Sequence, residues 1–428
     1  MFARRIVITG LGAVTPVGNT VDQFWDALLA GRSGAGPLQG FMVNGSRPGY
    51  AAEIKDFAPD RAGLPRKKLK MMGRQAQLAF AAVQEACADA RLTGDVPAVD
   101  CGRLGILLGV GMLNADVMDL GRVFYAMRRA SDSETLDIAA FERAAATELF
   151  PLWLLRHIPN LAAAHASIAL DAQGPSNTIA TGCVAAANAI GEAARLIARG
   201  EADVVIAGGT DARVSPLAML RYRDLGWLAT RNDVAPSAVS APFDRSAAGF
   251  LNGEAAAVVV LESLEHARAR GARIRAELAS YAAANDAYDL LRPHPEGCGL
   301  KRAMTACLRR SGADAPDVVF SPAASVPAYD RAAAAALGSA FGDDRPPVTA
   351  TRSVLGHTHA ASAGVDCVAA VKALETGLVP ATINLREPIA DLDFVRCASR
   401  DATISSALVA AYSFGGHAAA LMFRGWPS

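Results

Sequence analysis

The sequence has no surplus of charge of either sign: 42 basic residues balance 42 acidic ones, and the formal net charge is zero. Such a chain has no global attraction for nucleic acid or for an anionic membrane surface. Its seven cysteines are odd in number and include no close metal-type pair. That suits reduced thiols in the cytoplasm better than a disulfide framework. Charged residues make up only 20% against 52% hydrophobic, and there is no low-complexity tract, so disorder is excluded. No apolar run is long enough to span a bilayer. The N-terminal stretch Met1–Gly10 enters a strand directly, without the apolar region of a signal peptide, so a cytoplasmic protein is expected. The glycine-rich stretch after that strand lacks dinucleotide-fingerprint spacing, and no Gly-Lys-Ser/Thr follows it. No metal or dissociable cofactor is expected.

What is present is length and order. The 428 residues suffice for a large core, built as one big domain or two fused halves. Arg5 to Gly10 and Leu104 to Gly109 read as buried strands ending in glycine, the first in a tight turn over Gly10–Gly18. Gln75 to Arg91 reads as a long Ala-rich helix preceded by a basic segment, Pro65–Arg74, most simply a solvated helix end. Asn114 to Pro159 reads as a mostly helical excursion, with Phe124, Tyr125, Phe150 and Trp153 as anchors, that covers something or contacts a partner chain. His157 and His165 lie in apolar surroundings and read as structural.

The chain is organised around residues 177–200. A β-branched run turns at Thr181-Gly182, and from Val184 apolar residues at helical spacing continue to a stop at Gly200. Cys183 therefore sits where a strand ends and a buried helix begins. Unpaired N–H groups and the positive end of the helix dipole are expected to favour its thiolate, the nucleophilic form. The alternative is a small core residue, the usual fate of a free cysteine.

The chain also repeats itself. Gly253–Val260, expected in a hairpin over Phe250–Glu262, has a counterpart in Gly416–Phe423. The unit around Cys183 has one in Thr351–Gly377, which carries His357. A long internal repeat means two similar α/β halves, residues 1–262 and 263–428. Strands alternating with helices imply mostly parallel sheets between helix layers. Related by a pseudo-twofold axis, Cys183 and His357 would come from equivalent helix starts and face one central site.

These residues resemble the β-ketoacyl-acyl-carrier-protein synthases of the elongating type, which have the thiolase-like fold in α-β-α-β-α layers. The resemblance covers nearly the whole length. It rests on Val7–Gly18, Thr181-Gly182-Cys183, Ala202–Gly209, Thr230–Asp233, Pro242–Asp244, Gly356-His357 and Phe414–Gly416. It implies that Cys183 takes an acyl chain as a thioester from the phosphopantetheine of an acyl carrier protein. It makes His357 the second of two histidines that promote malonyl decarboxylation. The oxyanion hole would be the N–H groups of Cys183 and Phe414. Met112 and Phe414 match residues that gate the acyl pocket, and Asp366 matches the acid on the helix after His357.

Three departures stand out. Pro322 occupies the position of the family's first histidine, which removes a donor typically contributing about 3 kcal/mol to transition-state stabilisation. Ala324 and Val326 replace two threonines that hold the pantetheine arm. Arg352 replaces the lysine that orders the second histidine, keeping the charge in a bulkier forked group. The closing loop Tyr412–His417 also changes, where the family has a second Gly-Phe pair and a Thr-Asn.

The departures point to a non-elongating subunit like a chain-length factor, paired with a competent ketosynthase. The kept Cys183 points instead to an acyltransferase moving acyl groups from a carrier protein or coenzyme A. An active elongating synthase requires another residue to replace the lost histidine. A homodimer and a heterodimer are both open, as are the roles of His359 and His417.

Overall fold

The computed structural model describes residues 2 and 4–427 apart from 40–48, 61–62, 65, 93–98, 112–116, 131–134, 136 and 232. Met112, expected at the acyl pocket, lies outside the described residues. Ten strands form one sheet among the described residues. The first five are β1 (Ile6–Val14), β2 (Leu104–Val110), β3 (Ser176–Ile179), β4 (Val204–Ala212) and β5 (Glu254–Ser263). The rest are β6 (Ala276–Asn285), β7 (Val318–Phe320), β8 (Val348–Thr349), β9 (Ser406–Tyr412) and β10 (His417–Gly425). The order is β8-β7-β9-β10-β6-β1-β5-β4-β2-β3.

That order is its own mirror image about the β6–β1 contact, where only Val7 with Glu277 and Ile8 with Ala276 pair. On one side β1, β4, β2 and β3 point the same way and only β5 runs against them. On the other, β6, β9, β7 and β8 agree and only β10 is reversed. Within each half four of the five strands are therefore parallel in direction, and the reversed one lies beside the innermost strand.

The layers follow from strands that are apolar on both faces, as parallel strands covered by helices must be. Val258 and Val260 of β5 face outward with Ile106 and Leu108, onto α2 (Arg74–Asp89) and α3 (Leu161–Leu170). Val259 and Leu261 face inward onto two central helices, α4 (Ala185–Ala198) and α7 (Ser362–Thr376). Those helices also pack on Leu278, Val409 and Leu421 of the other half. Beyond that half lie α5 (Cys298–Ser311) and α6 (Pro327–Phe341), packed on Leu408 and Met422. The result is the thiolase-like sequence of layers, helix–sheet–helix–sheet–helix.

Two local expectations are corrected. The first strand does not stop at Gly10 but runs to Val14, and the turn is Thr15–Gly18. Its glycines serve close packing: a Cβ on Gly12 would stand 1.9 Å from the Ala82 carbonyl oxygen of α2. Nor is Phe250–Glu262 a hairpin. Its second part is the single strand β5, hydrogen-bonded to β1 and β4, while the Asn252 backbone bridges to His357. Long-range pairing to β1 and β4, not a local turn, decides this segment.

The excursion contains helices at Val117–Ala130 and Ile138–Glu148. Of the expected anchors, Phe124, Tyr125 and Phe150 are exposed. His157 is buried, with its ring edge-on to Trp153.

Candidate active site

The two central helices begin alike. A 3₁₀ turn, Gly182–Val184, leads into α4, and another, His359–Ala361, leads into α7. Each opens on a residue in the left-handed region, Gly182 at φ +65° and His359 at φ +49°. The helix starts are therefore equivalent, as the repeat implied. By position, however, the match of Cys183 is Ala360, and His357 stands three residues before it.

The two starts converge. Cys183 Sγ lies 3.2 Å from His357 Nε2, both side chains being buried. The expected thiolate is not what the site favours. Desolvation pushes the thiol pKa up, and the Ser413 hydroxyl and the Arg352 and Arg213 charges only partly offset it. Burial, with the Arg352 charge, pushes the His357 imidazole down to about 3. At neutral pH the pair is thus a thiol beside a neutral imidazole. The fields of one helix terminus are outweighed by the loss of water around the sulfur.

Arg352 reaches His357 through charge, not contact. Its Nη1 donates to Ser321 O at 2.8 Å and to Asp366 Oδ2 at 2.9 Å. Arg352 Nε and His357 Nδ1 are buried without a hydrogen-bond partner among the described residues. Asp366 also accepts from Thr351 Oγ1 at 2.5 Å, and burial raises its carboxyl pKa against these partners.

A small cavity of about 50 Å³ opens at the pair. Cys183, His357, Phe414, Pro322, Ala324 and Val326 line it, with Phe250, Trp227, Tyr329, Tyr412 and Ser413. Trp227 stacks on Phe414 with ring centroids 5.9 Å apart, and Tyr329 stands edge-on to Tyr412. Where the resemblance puts two threonines, Ala324 and Val326 sit in an apolar cluster with Tyr222, Leu228 and Phe250. The loop that carries them is held firmly. Buried Asp330 accepts from the backbone N–H groups of Phe243, Ala324 and Ser325 at 2.8, 2.9 and 3.1 Å.

His359 is close to the pair but stands behind the cavity wall. Its ring stacks on Tyr222 at 5.0 Å and lies 4.6 Å from the His357 ring. Its Nε2 is 2.6 Å from Asn252 Oδ1, while Asn252 Nδ2 donates to Arg213 O at 2.8 Å. Asn252 thereby offers an oxygen to His359, which fixes the proton on Nε2. Burial and the neighbouring His357 and Arg213 hold this imidazole neutral. Arg213 is itself paired with Asp211 at 3.0 Å in the interior. His417 is exposed, its Nδ1 3.3 Å from Asn285 Nδ2.

Two clusters among the described residues have donor atoms within 4.8 Å of one another, the spread a metal could draw together. One is Cys183, His357 and His359; the other is His294, Glu296 and Cys298. In the first, His359 Nε2 is already held by Asn252. In the second, His294 Nδ1 already accepts the Glu296 N–H at 3.2 Å.

Sequence reading missed Asn252, Tyr222, Arg213 and Asp330, whose roles are set by contacts from distant segments. It noted the changed closing loop without singling out Ser413. The Ser413 hydroxyl accepts the Cys183 backbone N–H at 3.0 Å.

The fold defines a protein of the thiolase type, and the comparisons sharpen this. The model of the beta-ketoacyl synthase N-terminal domain matches residues 3–267, and that of the C-terminal domain matches 275–386. The chain belongs to the β-ketoacyl synthase family. It is 36% identical over 427 residues to a 3-oxoacyl-[acyl-carrier-protein] synthase 2 of Synechocystis, covering 98% of each chain. Among solved structures it resembles the ishigamide ketosynthase/chain length factor, with a TM-score of 0.86 and 30% identity over 99% of this chain and 100% of that one. It also resembles a type II polyketide synthase acyl-carrier protein complex with its ketosynthase bound to the hexaketide: TM-score 0.83, 26% identity, 99% and 100% coverage. It is a ketosynthase-family protein of fatty-acid or polyketide biosynthesis.

Proposed function

We propose that this chain is a non-elongating subunit that pairs with a competent ketosynthase and shapes the acyl pocket, without releasing carbon dioxide from malonyl units itself. The observation that carries the reading is the cavity wall facing Cys183. Pro322, Ala324 and Val326 stand there, and none has a side-chain hydrogen-bond donor. A malonyl carboxylate leaving as carbon dioxide puts charge on the thioester enolate, and one imidazole is left to hold it. Asp330 fixes this wall, and His359 is bonded to Asn252 behind it, so neither supplies the missing donor.

A partner chain is supported by the exposed edge. Strand β3 ends the sheet with Ser176 and Asn177 exposed, close in sequence to Cys183. Ile168 of the neighbouring α3 is 69% exposed. An open strand edge beside an apolar side chain is a surface natural proteins cover. No described helix is long and apolar enough to cross a membrane. The substrates this reading implies are acyl chains on the phosphopantetheine of an acyl carrier protein, and a solved type II neighbour is an acyl-carrier protein in complex with its ketosynthase.

Co-expression with an intact ketosynthase tests the pairing. The expected result is a heterodimer on gel filtration and negligible carbon dioxide from malonyl carrier protein by the isolated chain. Fast release by the isolated chain refutes the reading.

One observation favours a second reading, acyl transfer through Cys183. The 3.2 Å sulfur–imidazole contact is the geometry a thiol nucleophile and its base require. Intact mass after incubation with acyl carrier substrates decides it; no adduct at Cys183 with any donor removes it.

A further inference from the structure

The Cys183 backbone N–H, which the resemblance places in the oxyanion hole, is already in use. Ser413 Oγ accepts it at 3.0 Å. An oxyanion forming at a thioester carbonyl attacked by Cys183 would need an oxygen about 2.7–3.1 Å from such a donor. The serine hydroxyl therefore fills the place that oxygen would take. It is well fixed there. Ser413 is buried, and its hydroxyl lies against Gly182, where an added Cβ would come within 2.4 Å of Oγ. The flanking residues Tyr412 and Phe414 both line the cavity, so Ser413 is held in the wall that an acyl group must pass.

We infer that Ser413 is a built-in occupant of the oxyanion site: its hydroxyl caps the Cys183 N–H and holds off acylation of the sulfur until it is turned away. The inference deepens the reading above and rests on it, since it concerns the same sulfur. The step it controls is thioester exchange. The Cys183 sulfur bonds to the carbonyl carbon, the bond from that carbon to the donor sulfur breaks, and the cysteine proton passes through His357 Nε2 to the departing thiolate. A tetrahedral oxyanion stands between, and in the resting site one of its two expected donors, the Cys183 N–H, is occupied by Ser413. Ser413 acts through Cys183 and is a positioning residue.

The prediction separates two reactions of one sulfur. Alkylation by iodoacetamide forms no oxyanion and needs only the thiolate. Acylation by hexanoyl-N-acetylcysteamine needs the free N–H. In Ser413→Gly and Ser413→Ala, acylation of Cys183 followed by intact mass is expected to be about tenfold or more faster than in the wild type. Alkylation is expected to be no faster, because the hydroxyl that eases the thiol toward ionisation is gone. Ser413→Thr, which keeps the hydroxyl, is expected to acylate within about twofold of the wild type. The alanine variant carries the test if the glycine variant does not fold. The inference is overturned if the wild type acylates as fast as both hydroxyl-free variants, if none acylates, or if alkylation rises alongside acylation. Carbon dioxide release from malonyl carrier protein, measured on the same samples, reports on the non-elongating reading separately.

Discussion

Cys183 Sγ and His357 Nε2 lie 3.2 Å apart although 174 positions separate the residues in the chain. The contact joins two equivalent helix starts across the centre of the molecule, and both partners are shielded from water. Its charge state follows from that shielding. Burial raises the pKa of the thiol and lowers that of the imidazole to about 3. A thiolate–imidazolium pair would give alkylation independent of pH across the neutral range. A neutral pair instead predicts that iodoacetamide alkylation of Cys183 climbs close to tenfold per pH unit from about pH 6 to 8. Rates followed by intact mass check this; a plateau across that range would contradict it.

Pro322 lines the cavity with Cys183 and His357, so a donor introduced there would face the site of decarboxylation. Pro322→His is expected to raise carbon dioxide release from malonyl carrier protein by about a hundredfold over the wild type, equivalent to about 3 kcal/mol for one restored donor. The wall around it stays in place because Asp330 holds Ala324 and Ser325, not Pro322. An unchanged rate would mean that more than the histidine has been lost.

Much of this was legible in the sequence. The paired glycine–alanine strands anticipated the repeated strand order, and the contact of Cys183 with His357 was anticipated from their places near helix starts, because local patterns mark strands, turns and helix starts. The end of the first strand was not legible, since Gly12 is a glycine for the sake of α2, some seventy residues later. Asn252 fell inside the expected hairpin over Phe250–Glu262 and proved to be the partner of His359. The state of Cys183 was misjudged for the same reason. A helix terminus is visible in sequence, whereas the depth of burial is a sum over segments that meet only in the fold.

Arg352 and Asp366 form an ion pair at 2.9 Å with side chains 3% and 0% exposed. Arg352→Met leaves Asp366 in the interior with Thr351 as its remaining partner, at a cost of about 3–5 kcal/mol. Arg352→Met combined with Asp366→Leu removes both charges and is expected to be more stable than the single variant. Arg352→Lys keeps the charge but cannot fork between Ser321 O and Asp366, so an intermediate loss is expected. Urea unfolding of the three variants measures the order. A single Arg352→Met as stable as the wild type would show that the pair contributes nothing.

Asp330 concentrates three backbone donors on one buried carboxylate, and burial raises its pKa to about 6 against the pull of those bonds. Asp330→Ala leaves the N–H groups of Phe243, Ala324 and Ser325 unpartnered, and losing them together should cost about 3 kcal/mol or more. Asp330→Asn keeps the shape and one acceptor oxygen, so a smaller loss is expected. The pH dependence has a definite sign. Between the unfolded value near 4 and the folded value of about 6, the folded chain binds more of this proton than the unfolded chain does. That contribution to stability therefore grows as pH falls through the window and is lost as pH rises through 6. Relative to Asp330→Asn, whose amide does not titrate, the wild type should gain stability from pH 7 to pH 5. Urea unfolding of both proteins at the two pH values measures the difference, and a gap that narrows toward pH 5 would show that the carboxylate is charged in the fold throughout.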